Sequence, residues 1–176
     1  VLAADLSLSM SDYRAGERTF QLLTQAAGRA GRGSRPGEVV IQTYDPEHYA
    51  IEASASQDYE AFYEKEIRYR SLMGYPPVEN LMAVLAACED EALLEKACKY
   101  LKEYILRIKG QAQLNVIGPA SPGVDKIKDI YRRVIYVKAP EYRTLVVLKD
   151  RMEQYIEINS GFQKMRIQFD FNPMNL

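Results

Sequence analysis

Three polar side chains near the start of the sequence are spaced so that they can act together. Gln25, Arg29 and Arg32 are four and three residues apart, so on a helix all three project from one face. Two permanently charged, fork-shaped guanidinium groups beside an amide suit a polyphosphate whose terminal phosphate gains charge during reaction. The spacing indicates a phosphate-binding helix face.

A second interpretation of the same residues requires no ligand. Arginines near the C-terminal end of a helix bind its last carbonyls and complement its dipole, so the pair would be a solvated basic helix end. Gly28 and Gly31 interrupt a helix pattern that begins at Arg14, and each glycine costs about 1 kcal/mol relative to alanine. We expect something else to favour glycine there, such as a close approach of another backbone. The spacing alone leaves both interpretations open.

The residues around this face resemble a helicase motif. Residues 25–32 fit the form Q-x-x-G-R-x-x-R, the last conserved motif of superfamily-two helicases. The longer string at residues 12–32, DYRAGERTFQLLTQAAGRAGR, resembles the PriA family of primosomal replication-restart helicases, whose version reads approximately DFRAxERTFQLLxQVAGRAGR. Tyr13 and Ala26 are small departures from that version, which has phenylalanine and valine there.

This resemblance implies a role for each residue of the helix face. Arg32 would be the arginine finger, acting on an ATP that another lobe of the helicase holds. Arg29 would assist at the γ-phosphate, and Gln25 would orient the site or couple it to DNA. Arginines in such positions contribute roughly 10³ to 10⁵ in rate to phosphoryl transfer. The expected catalytic residues are thus Arg29 and Arg32, and the expected ATP-binding residues are Gln25, Gly28, Arg29 and Arg32.

The segments on either side of the helix predict part of an α/β domain. Residues 1–5 are typical of the end of an apolar strand, and residues 38–44 of a second strand, as in a parallel β-α-β unit. One unit of roughly 45 residues cannot bury a core, so the sequence looks like a fragment cut inside a larger domain. By resemblance, residues 1–45 are a remnant of the second RecA-like parallel α/β lobe of the helicase.

The cofactors of the family are expected outside this sequence. It contains no G-x-x-x-x-G-K-[ST] phosphate loop, so ATP and Mg²⁺ would be held by other parts of a full-length parent. The zinc of the family would likewise lie in an upstream cysteine-rich insertion. We therefore expect the chain alone to bind no cofactor or metal and to hydrolyse no ATP.

Composition narrows the class of protein. A hydrophobic content of 47% and a charged content of 27% are ordinary for a soluble globular protein. No apolar run approaches about 18 residues and the start lacks the features of a signal peptide, so we expect a cytoplasmic protein without a membrane partner. Cys88 and Cys98 are expected to be buried thiols, and His48 a surface or capping residue. With a net charge of −1, any DNA contact must come from a local patch.

Residues 46–73 are predicted to form two connecting helices. They cover residues 47–57 and 58–73, with Asp58 as the N-cap of the second helix. Apolar residues recur on that helix at helical spacing, at Tyr59, Phe62, Tyr63, Ile67 and Leu72. We expect this stripe to be core, and the alternative is a platform on which the bases of single-stranded DNA stack.

A second domain is predicted to begin at the Gly-Tyr-Pro-Pro segment and to cover residues 74–176. Periodicity indicates strand, helix, strand, strand, helix and strand at residues 81–88, 94–108, 114–118, 131–138, 145–156 and 165–171. Two split β-α-β halves of this kind form an α+β ferredoxin-like sandwich. The family has a matching G-Y-P-P-F, with Val78 here for phenylalanine, and a C-terminal D-x-D-P-x-x-L that residues 170–176 resemble.

A long loop at residues 118–133 is the candidate DNA contact. Loops of this length are often functional, and this one concentrates cations around a tyrosine, a mixture that holds phosphates while stacking a base. The expected DNA-binding residues are Lys126, Lys128, Tyr131, Arg132 and Arg133. Asp125 and Asp129 interrupt the positive charge, so an ordinary solvated hairpin is the alternative.

The resemblance implies the C-terminal part of an ATP-dependent 3′–5′ DNA helicase that recognises stalled forks and assembles the primosome for replication restart. Its partners would be forked and single-stranded DNA, the single-stranded-DNA-binding protein, other primosome proteins and the loader of the replicative helicase. A non-enzymatic DNA- or protein-binding module is the alternative from a different class. A third interpretation is a repair or RNA helicase with the same motif. The resemblance of residues 12–23 to the PriA-family string argues against it.

Overall fold

Helices dominate the first of two units in the chain. The computed structural model describes residues 3–10, 12–30 and 38–174, and the chain divides into the units Val1–Met73 and Gly74–Leu176. The described part of the first unit contains α1 (Asp5–Leu8), α2 (Ala15–Ala30), α3 (Tyr49–Ser56) and α4 (Tyr59–Met73). Helix α2 is the one predicted to carry the phosphate-binding face.

Helix α2 is amphipathic and buries one face against α3 and α4. Phe20 of α2 stacks on Phe62 of α4, with 4.3 Å between the ring centroids. Ala50 and Ala53 of α3 pack against the same two rings. Burying an aromatic side chain stabilises a fold by about 1.5–3 kcal/mol. We infer that this small cluster holds α2 against α3 and α4.

Side-chain caps begin both of those neighbouring helices. Nδ1 of His48 accepts the N–H of Ala50 at 3.2 Å, and Oδ1 of Asp58 accepts the N–H of Ala61 at 2.9 Å. Each cap satisfies a backbone N–H that has no partner within the first helical turn. The predictions that His48 is a capping residue and that Asp58 is an N-cap are confirmed.

The strand predicted at residues 38–44 is not formed. These residues run without strand pairing, and a backbone hydrogen bond from the N–H of Ala4 to the carbonyl of Gln42, at 3.1 Å, links them to the start of the chain. Among the described residues no strand pairs with either segment, and a parallel strand needs such neighbours to satisfy its backbone groups. The predicted β-α-β unit is therefore wrong for these residues, and residues 1–2 lie outside the described part.

The apolar stripe predicted on α4 is core only in part. Phe62 is buried, but three members of the stripe are largely exposed, namely Tyr59, Tyr63 and Leu72. The buried side of α4 instead follows a four-residue spacing through Phe62, Glu66 and Arg70. Two charged residues outside the predicted stripe, Glu66 and Arg70, thus lie on the buried side of α4, where they pair with each other and Arg70 also pairs with Glu17.

The second unit is a mixed α/β fold around one antiparallel sheet. Its elements are β1 (Asn80–Cys88), α5 (Glu91–Ile108), β2 (Asn115–Ala120), β3 (Lys126–Ile127), β4 (Ile130–Ala139), α6 (Tyr142–Ile158) and β5 (Arg166–Phe171). The sheet order is β2-β4-β1-β5, and the short β3 pairs with β4. The predicted β-α-β-β-α-β order of a split β-α-β sandwich is confirmed, and β3 is an addition to it.

One face of this sheet forms the main core with α5 and α6. The fully buried members come from all of these elements and include Met82, Val84, Leu94, Leu101, Ile105, Ile135, Val137, Leu145 and Met152. Cys88 and Cys98 are free thiols buried in the same core, as predicted. Burial, and to a lesser extent the charge of Glu95, raises the pKa of the Cys98 thiol to about 11. Cys98 is therefore a protonated, apolar packing residue at neutral pH.

Gly118 of β2 gives a direct test of this sheet. Its φ is +103°, and an added Cβ would lie 2.7 Å from the carbonyl oxygen of Val134 on β4. We expect Gly118→Ala to lower the free energy of unfolding of the chain by about 1–3 kcal/mol, since both the backbone angle and the contact are unfavourable. Urea unfolding followed by far-UV circular dichroism measures this.

Gly123 provides the matched control for that variant. A Cβ there meets no described atom within 4 Å, so we expect Gly123→Ala to change the free energy of unfolding by less than about 0.5 kcal/mol. Equal stability of the two variants would contradict the close strand contact at Gly118.

Candidate functional site

The described part of the candidate phosphate-binding face lies on the outer side of α2. Gln25, Gly28 and Arg29 are all exposed, whereas the buried residues of α2 lie on its opposite side. Among the described residues, Arg29 makes no ion pair, so its guanidinium is open to an anionic ligand. Arg32 falls outside the described residues. The structure thus brings Gln25 and Arg29 together at their predicted four-residue spacing.

Gly28 has no close neighbour within the part of the chain that the structure describes. A Cβ added there would meet no atom within 4 Å. The sequence predicted that close approach of another backbone favours glycine at this position, and none of the described residues makes that approach. Gly28 therefore leaves a flat, open strip of helix backbone between Gln25 and Arg29.

Asp12 holds the N-terminal end of α2. Its Oδ1 accepts the N–H of Arg14 at 2.9 Å, and its Oδ2 lies 2.8 Å from Nη1 of Arg18. An aspartate that bonds the backbone two residues ahead forms a local turn that fixes where the helix begins. Asp12, Arg14 and Arg18 belong to the string that resembles the helicase motif, and their contacts fix where α2 begins.

Arg70 of α4 joins α2 and α4 through a buried ion-pair network. Its Nη2 lies 2.7 Å from Oε2 of Glu17 on α2, and its Nε lies 2.7 Å from Oε1 of Glu66 on α4. The side chains of Arg70 and Glu66 are 8% and 7% exposed, so solvent ions screen this pair little. A planar guanidinium can bond two carboxylates at once, which fixes the position of Glu17 relative to α4.

Tyr49 of α3 completes this network. Its hydroxyl donates to Oε2 of Glu66 at 2.7 Å, and burial together with this bond to Glu66 raises the pKa of Tyr49 well above its usual value. Tyr49 therefore stays a protonated donor at neutral pH. Gly16 of α2 makes room for it, because a Cβ there would lie 2.7 Å from the tyrosine oxygen and 2.9 Å from Oε2 of Glu66.

Sequence reasoning assigned no role to Glu17, Glu66 or Arg70. The four-residue spacing of Glu66 and Arg70 on one helix was a usable signal for their pair. The bond from Arg70 to Glu17 spans 53 positions, and no local pattern could have indicated it. The network is therefore a tertiary feature that orients the helix on which Gln25 and Arg29 lie.

The candidate DNA-contacting loop is a β-hairpin built from β3 and β4. Lys128 and Asp129 form its two-residue tip, with φ of +48° and +63°, the angles of a type I′ hairpin turn. Nζ of Lys126 lies 3.0 Å from Oδ1 of Asp129 and 4.6 Å from the ring centroid of Tyr131. Lys126, Lys128 and Tyr131 are thus together, although Asp129 compensates part of the charge.

Arg132 and Arg133 point to opposite faces of the sheet. Arg132 lies near the loop that precedes β3, where its Nη1 donates to the carbonyl of Val124 at 3.5 Å. Arg133 is 9% exposed and faces α5, where its Nη2 lies 2.8 Å from Oε1 of Glu91 and its Nε bonds Oε1 of Glu95. This corrects the grouping of Arg133 with the exposed cations, because consecutive strand residues alternate between faces.

Clusters of at least three histidine, cysteine, aspartate or glutamate side chains placed to hold a metal ion do not occur among the described residues. In the same part of the chain, no helix is both long and apolar enough to cross a membrane.

The buried network predicts a large effect of removing Arg70. Arg70→Ala leaves the buried Glu66 carboxylate without its cation, and we expect a loss of about 3–5 kcal/mol in the free energy of unfolding of the first unit. We also expect faster amide hydrogen exchange in α2, because Glu17 loses its anchor. Urea unfolding and hydrogen exchange measure the two effects.

Arg68, an exposed cation on the same helix, is the control for that variant. We expect Arg68→Ala to change stability by less than about 0.5 kcal/mol and to leave exchange in α2 unchanged. If Arg70→Ala resembled the control in both measurements, the network would not be what positions α2.

Comparison with known proteins identifies the family. A family model described as the primosomal protein N C-terminal domain matches residues 71–174. A protein of Bacillus subtilis (strain 168) named Replication restart protein PriA is 35% identical over 98% of this chain and 21% of its own length. Proteins of the same name from Synechocystis and Chlamydia trachomatis are 35% and 34% identical, over 100% and 99% of this chain and 20% and 23% of their own lengths.

The chain spans about a fifth of the length of these curated relatives. Among solved structures, the de novo designed protein Foldit4 aligns with 53% of this chain and 94% of its own, at 13% identity and a TM-score of 0.40, which is too low to bear on the fold. The family model covers the sheet and both of its helices, and the curated relatives extend the match through α2 to the start of the chain. The chain therefore belongs to the PriA replication-restart family, and its second unit contains that family's primosomal protein N C-terminal domain.

Proposed function

We propose that this chain is the C-terminal part of an ATP-dependent 3′–5′ DNA helicase that recognises stalled forks and assembles the primosome for replication restart in the cytoplasm. The observation that carries the proposal is the exposed face of α2, with Gln25 and Arg29 unpaired among the described residues, in a chain of the PriA family. An arginine with no carboxylate partner keeps its donors for a phosphate. The partners would be forked and single-stranded DNA, the single-stranded-DNA-binding protein, primosome proteins and the loader of the replicative helicase.

In this proposal α2 belongs to the second RecA-like lobe of the motor. The segments before and after α2 are linked by the hydrogen bond from the N–H of Ala4 to the carbonyl of Gln42. The strands of such a lobe would be supplied by other parts of a full-length protein. This placement accounts for an unpaired segment at residues 38–44 beside a firmly anchored helix.

The outer face of α2 fits the phosphates of ATP. The guanidinium of Arg29 is exposed, and planar donors of this kind match phosphate oxygens. Bound ATP with Mg²⁺, held by the other lobe, would supply the γ-phosphate to be transferred. Arg32 would act on that phosphate as the arginine finger, Arg29 would assist, and Gln25 would orient the site or couple it to DNA. Gly28 would let the nucleotide or the other lobe approach the helix backbone closely.

The hairpin of β3 and β4 would contact the DNA backbone. Lys126, Lys128 and Arg132 supply the positive charge, and Tyr131 supplies a partly exposed ring. Arg133 has no part in this contact, since Glu91 and Glu95 already bind it. The second unit, which carries this hairpin, buries a core of its own. The second candidate function is therefore DNA binding by this unit without ATP.

Removing the arginines tests the nucleotide role. In the complete protein, we expect Arg32→Ala to lower DNA-stimulated ATP hydrolysis by about 10³-fold or more and Arg29→Ala to lower it less, because an arginine finger stabilises charge on the transferred phosphoryl group. Fork binding should stay largely intact. Steady-state ATPase assays and fork-binding anisotropy measure these effects.

The same assays on Arg68→Ala provide the control, since that exposed cation lies on α4 and not on α2. Normal turnover in Arg32→Ala would remove Arg32 from the catalytic role.

Removing the hairpin cations tests the DNA contact. We expect the triple variant Lys126→Ala, Lys128→Ala and Arg132→Ala of the 176-residue chain to bind forked DNA more weakly. The slope of log affinity against log salt concentration should fall in magnitude by about 2 to 3, because a variant that makes fewer phosphate contacts releases fewer counterions when it binds. Fluorescence anisotropy across a salt titration measures both quantities.

A matched control removes the same charge elsewhere on this domain, with Lys99, Arg107 and Lys164 replaced by alanine. We expect it to bind close to the unaltered chain. If both triple variants lost the same affinity and slope, net charge would explain the binding and the hairpin would not be a contact site.

A further inference from the structure

The tip of the hairpin formed by β3 and β4 carries two exposed isoleucines. Ile127 of β3 and Ile130 of β4 lie opposite each other in the antiparallel register, directly on either side of the two-residue turn. They are 46% and 40% exposed. Opposite residues of an antiparallel pair project from the same face, so the two side chains form one apolar patch, which we call the isoleucine pair.

The isoleucine pair lies outside the main core. Neither isoleucine belongs to the cluster of buried residues on the helix side of the sheet, whereas Tyr131, the next residue of β4, packs partly against that cluster. Single apolar residues are common on protein surfaces, but contiguous ones that are rimmed by polar groups mark binding surfaces. Two side chains form a small patch, so the charges around them indicate the partner.

The charges on the other face of the hairpin compensate each other. Lys126 and Tyr131 are opposite each other in the register and adjacent to the isoleucines, so they project from the opposite face. There, Nζ of Lys126 lies 3.0 Å from Oδ1 of Asp129 and 4.6 Å from the ring centroid of Tyr131. The carboxylate of the tip is therefore held on the face of Lys126 and away from the isoleucine pair.

Two cations flank the isoleucine pair. Arg132 lies two positions after Ile130 on β4 and so on the same face, and Lys128 occupies the tip. Neither cation makes an ion pair within the described part of the chain. The carbonyl of Asp125 accepts the N–H of Arg132 at 2.7 Å, and the carboxylate of Asp125 makes no ion pair there either. A partner with anionic groups around an apolar, stacked interior fits this arrangement, and DNA has both.

The geometry of the hairpin suits insertion between stacked bases. Its two-residue turn has φ of +48° at Lys128 and +63° at Asp129, the angles of a type I′ turn, which is among the shortest connections between two strands. The strands lie about 4.8 Å apart, so the tip is narrow. Isoleucine is stiff at χ1 and loses little side-chain freedom when it is buried. The isoleucine pair is thus a thin, rigid apolar edge.

We propose that the isoleucine pair is an apolar wedge that enters the base stack at the junction of forked DNA and unstacks the base pair next to the branch. Lys128 and Arg132 bind phosphates on either side and bring the isoleucines to the bases. Proteins that kink DNA insert isoleucine, leucine or phenylalanine between base steps in this way. The inference rests on the proposed DNA contact of the hairpin and adds to it an action on the bases.

The junction is the favoured place for this action. Unstacking a base costs free energy, and the cost is lowest where the base is already incompletely paired or stacked. The base pair next to a branch has lost part of its stacking, whereas a base pair inside a continuous duplex has not. The isoleucine pair therefore favours a fork over a linear duplex, which phosphate contacts alone do not distinguish.

Threonine substitutions test the wedge, because threonine keeps the β-branched shape that suits a strand but carries a hydroxyl group. A fork with 2-aminopurine in the base pair next to the branch should gain fluorescence when the 176-residue chain binds, since this base brightens when it is unstacked. Ile127→Thr with Ile130→Thr should lose at least about half of that gain and bind the fork about tenfold more weakly. The slope of log affinity against log salt concentration should stay unchanged, because no phosphate contact is lost.

Two further variants control for shape and for exposed apolar surface in general. Ile127→Val with Ile130→Val keeps an apolar edge and should retain most of the fluorescence gain. Ile117→Thr with Ile158→Thr makes the same chemical change at isoleucines that are 43% and 80% exposed outside the hairpin, and it should retain the full gain. Circular dichroism checks that each variant is folded. An equal loss in this last variant and in the hairpin variant would overturn the proposal.

The triple cation variant separates failure of the wedge from failure of the DNA contact. If that variant binds forks more weakly while Ile127→Thr with Ile130→Thr binds and unstacks like the unaltered chain, the hairpin contacts DNA without a wedge. That result overturns this inference alone and leaves the isoleucine pair as a surface for a protein. If the triple cation variant also binds like the unaltered chain, the proposed DNA contact fails and the wedge fails with it.

Discussion

A single buried guanidinium sets the geometry of the first unit. Arg70 lies between Glu17 of α2 and Glu66 of α4, and Tyr49 of α3 donates to Glu66, so three helices meet in one network. Taking charges out of water costs several kcal/mol per ion, which close pairing offsets, so such a network adds little net stability compared with apolar packing. We infer that its role here is orientational, because its short bonds tolerate only one placement of α2. The outer face with Arg29 follows from that placement.

In the second unit, the pleat of the sheet and local packing together decide which cations reach solvent. Arg132 and Arg133 are adjacent in sequence, yet only Arg133 meets the glutamates of α5. Lys138, further along β4, is 6% exposed, with its Nζ 3.8 Å from the ring centroid of Tyr75, and burial lowers its pKa. A count of basic residues along β4 therefore overstates the positive charge at the surface. Of the three basic residues of β4, Arg132 is the one that is not buried.

Periodicity located elements well wherever one face of the element meets the main core. The helix predicted at residues 94–108 is observed as Glu91–Ile108, and the strand predicted at 131–138 as Ile130–Ala139. It missed β3, because the tip residues Lys128 and Asp129 lack the glycine or asparagine that usually marks a hairpin turn. It also predicted a strand at residues 38–44, since an apolar pattern carries no information about whether a neighbouring strand exists. Of the predicted phosphate-binding face, Gln25, Gly28 and Arg29 are exposed on one side of α2, and their role stays a prediction.

The sequence by itself determined the family resemblance, the order of elements from residue 80 onward and the common face of Gln25 and Arg29. These depend on local spacing, which fixes side-chain direction along a helix or a strand whatever the surroundings. Only the tertiary structure decided that Arg70 anchors α2, that Arg133 is held by the glutamates of α5 and that no described strand pairs with the outer edge of β5. Each of these depends on pairing between residues far apart in the chain, and the free energy of a charge or a backbone group depends on that partner.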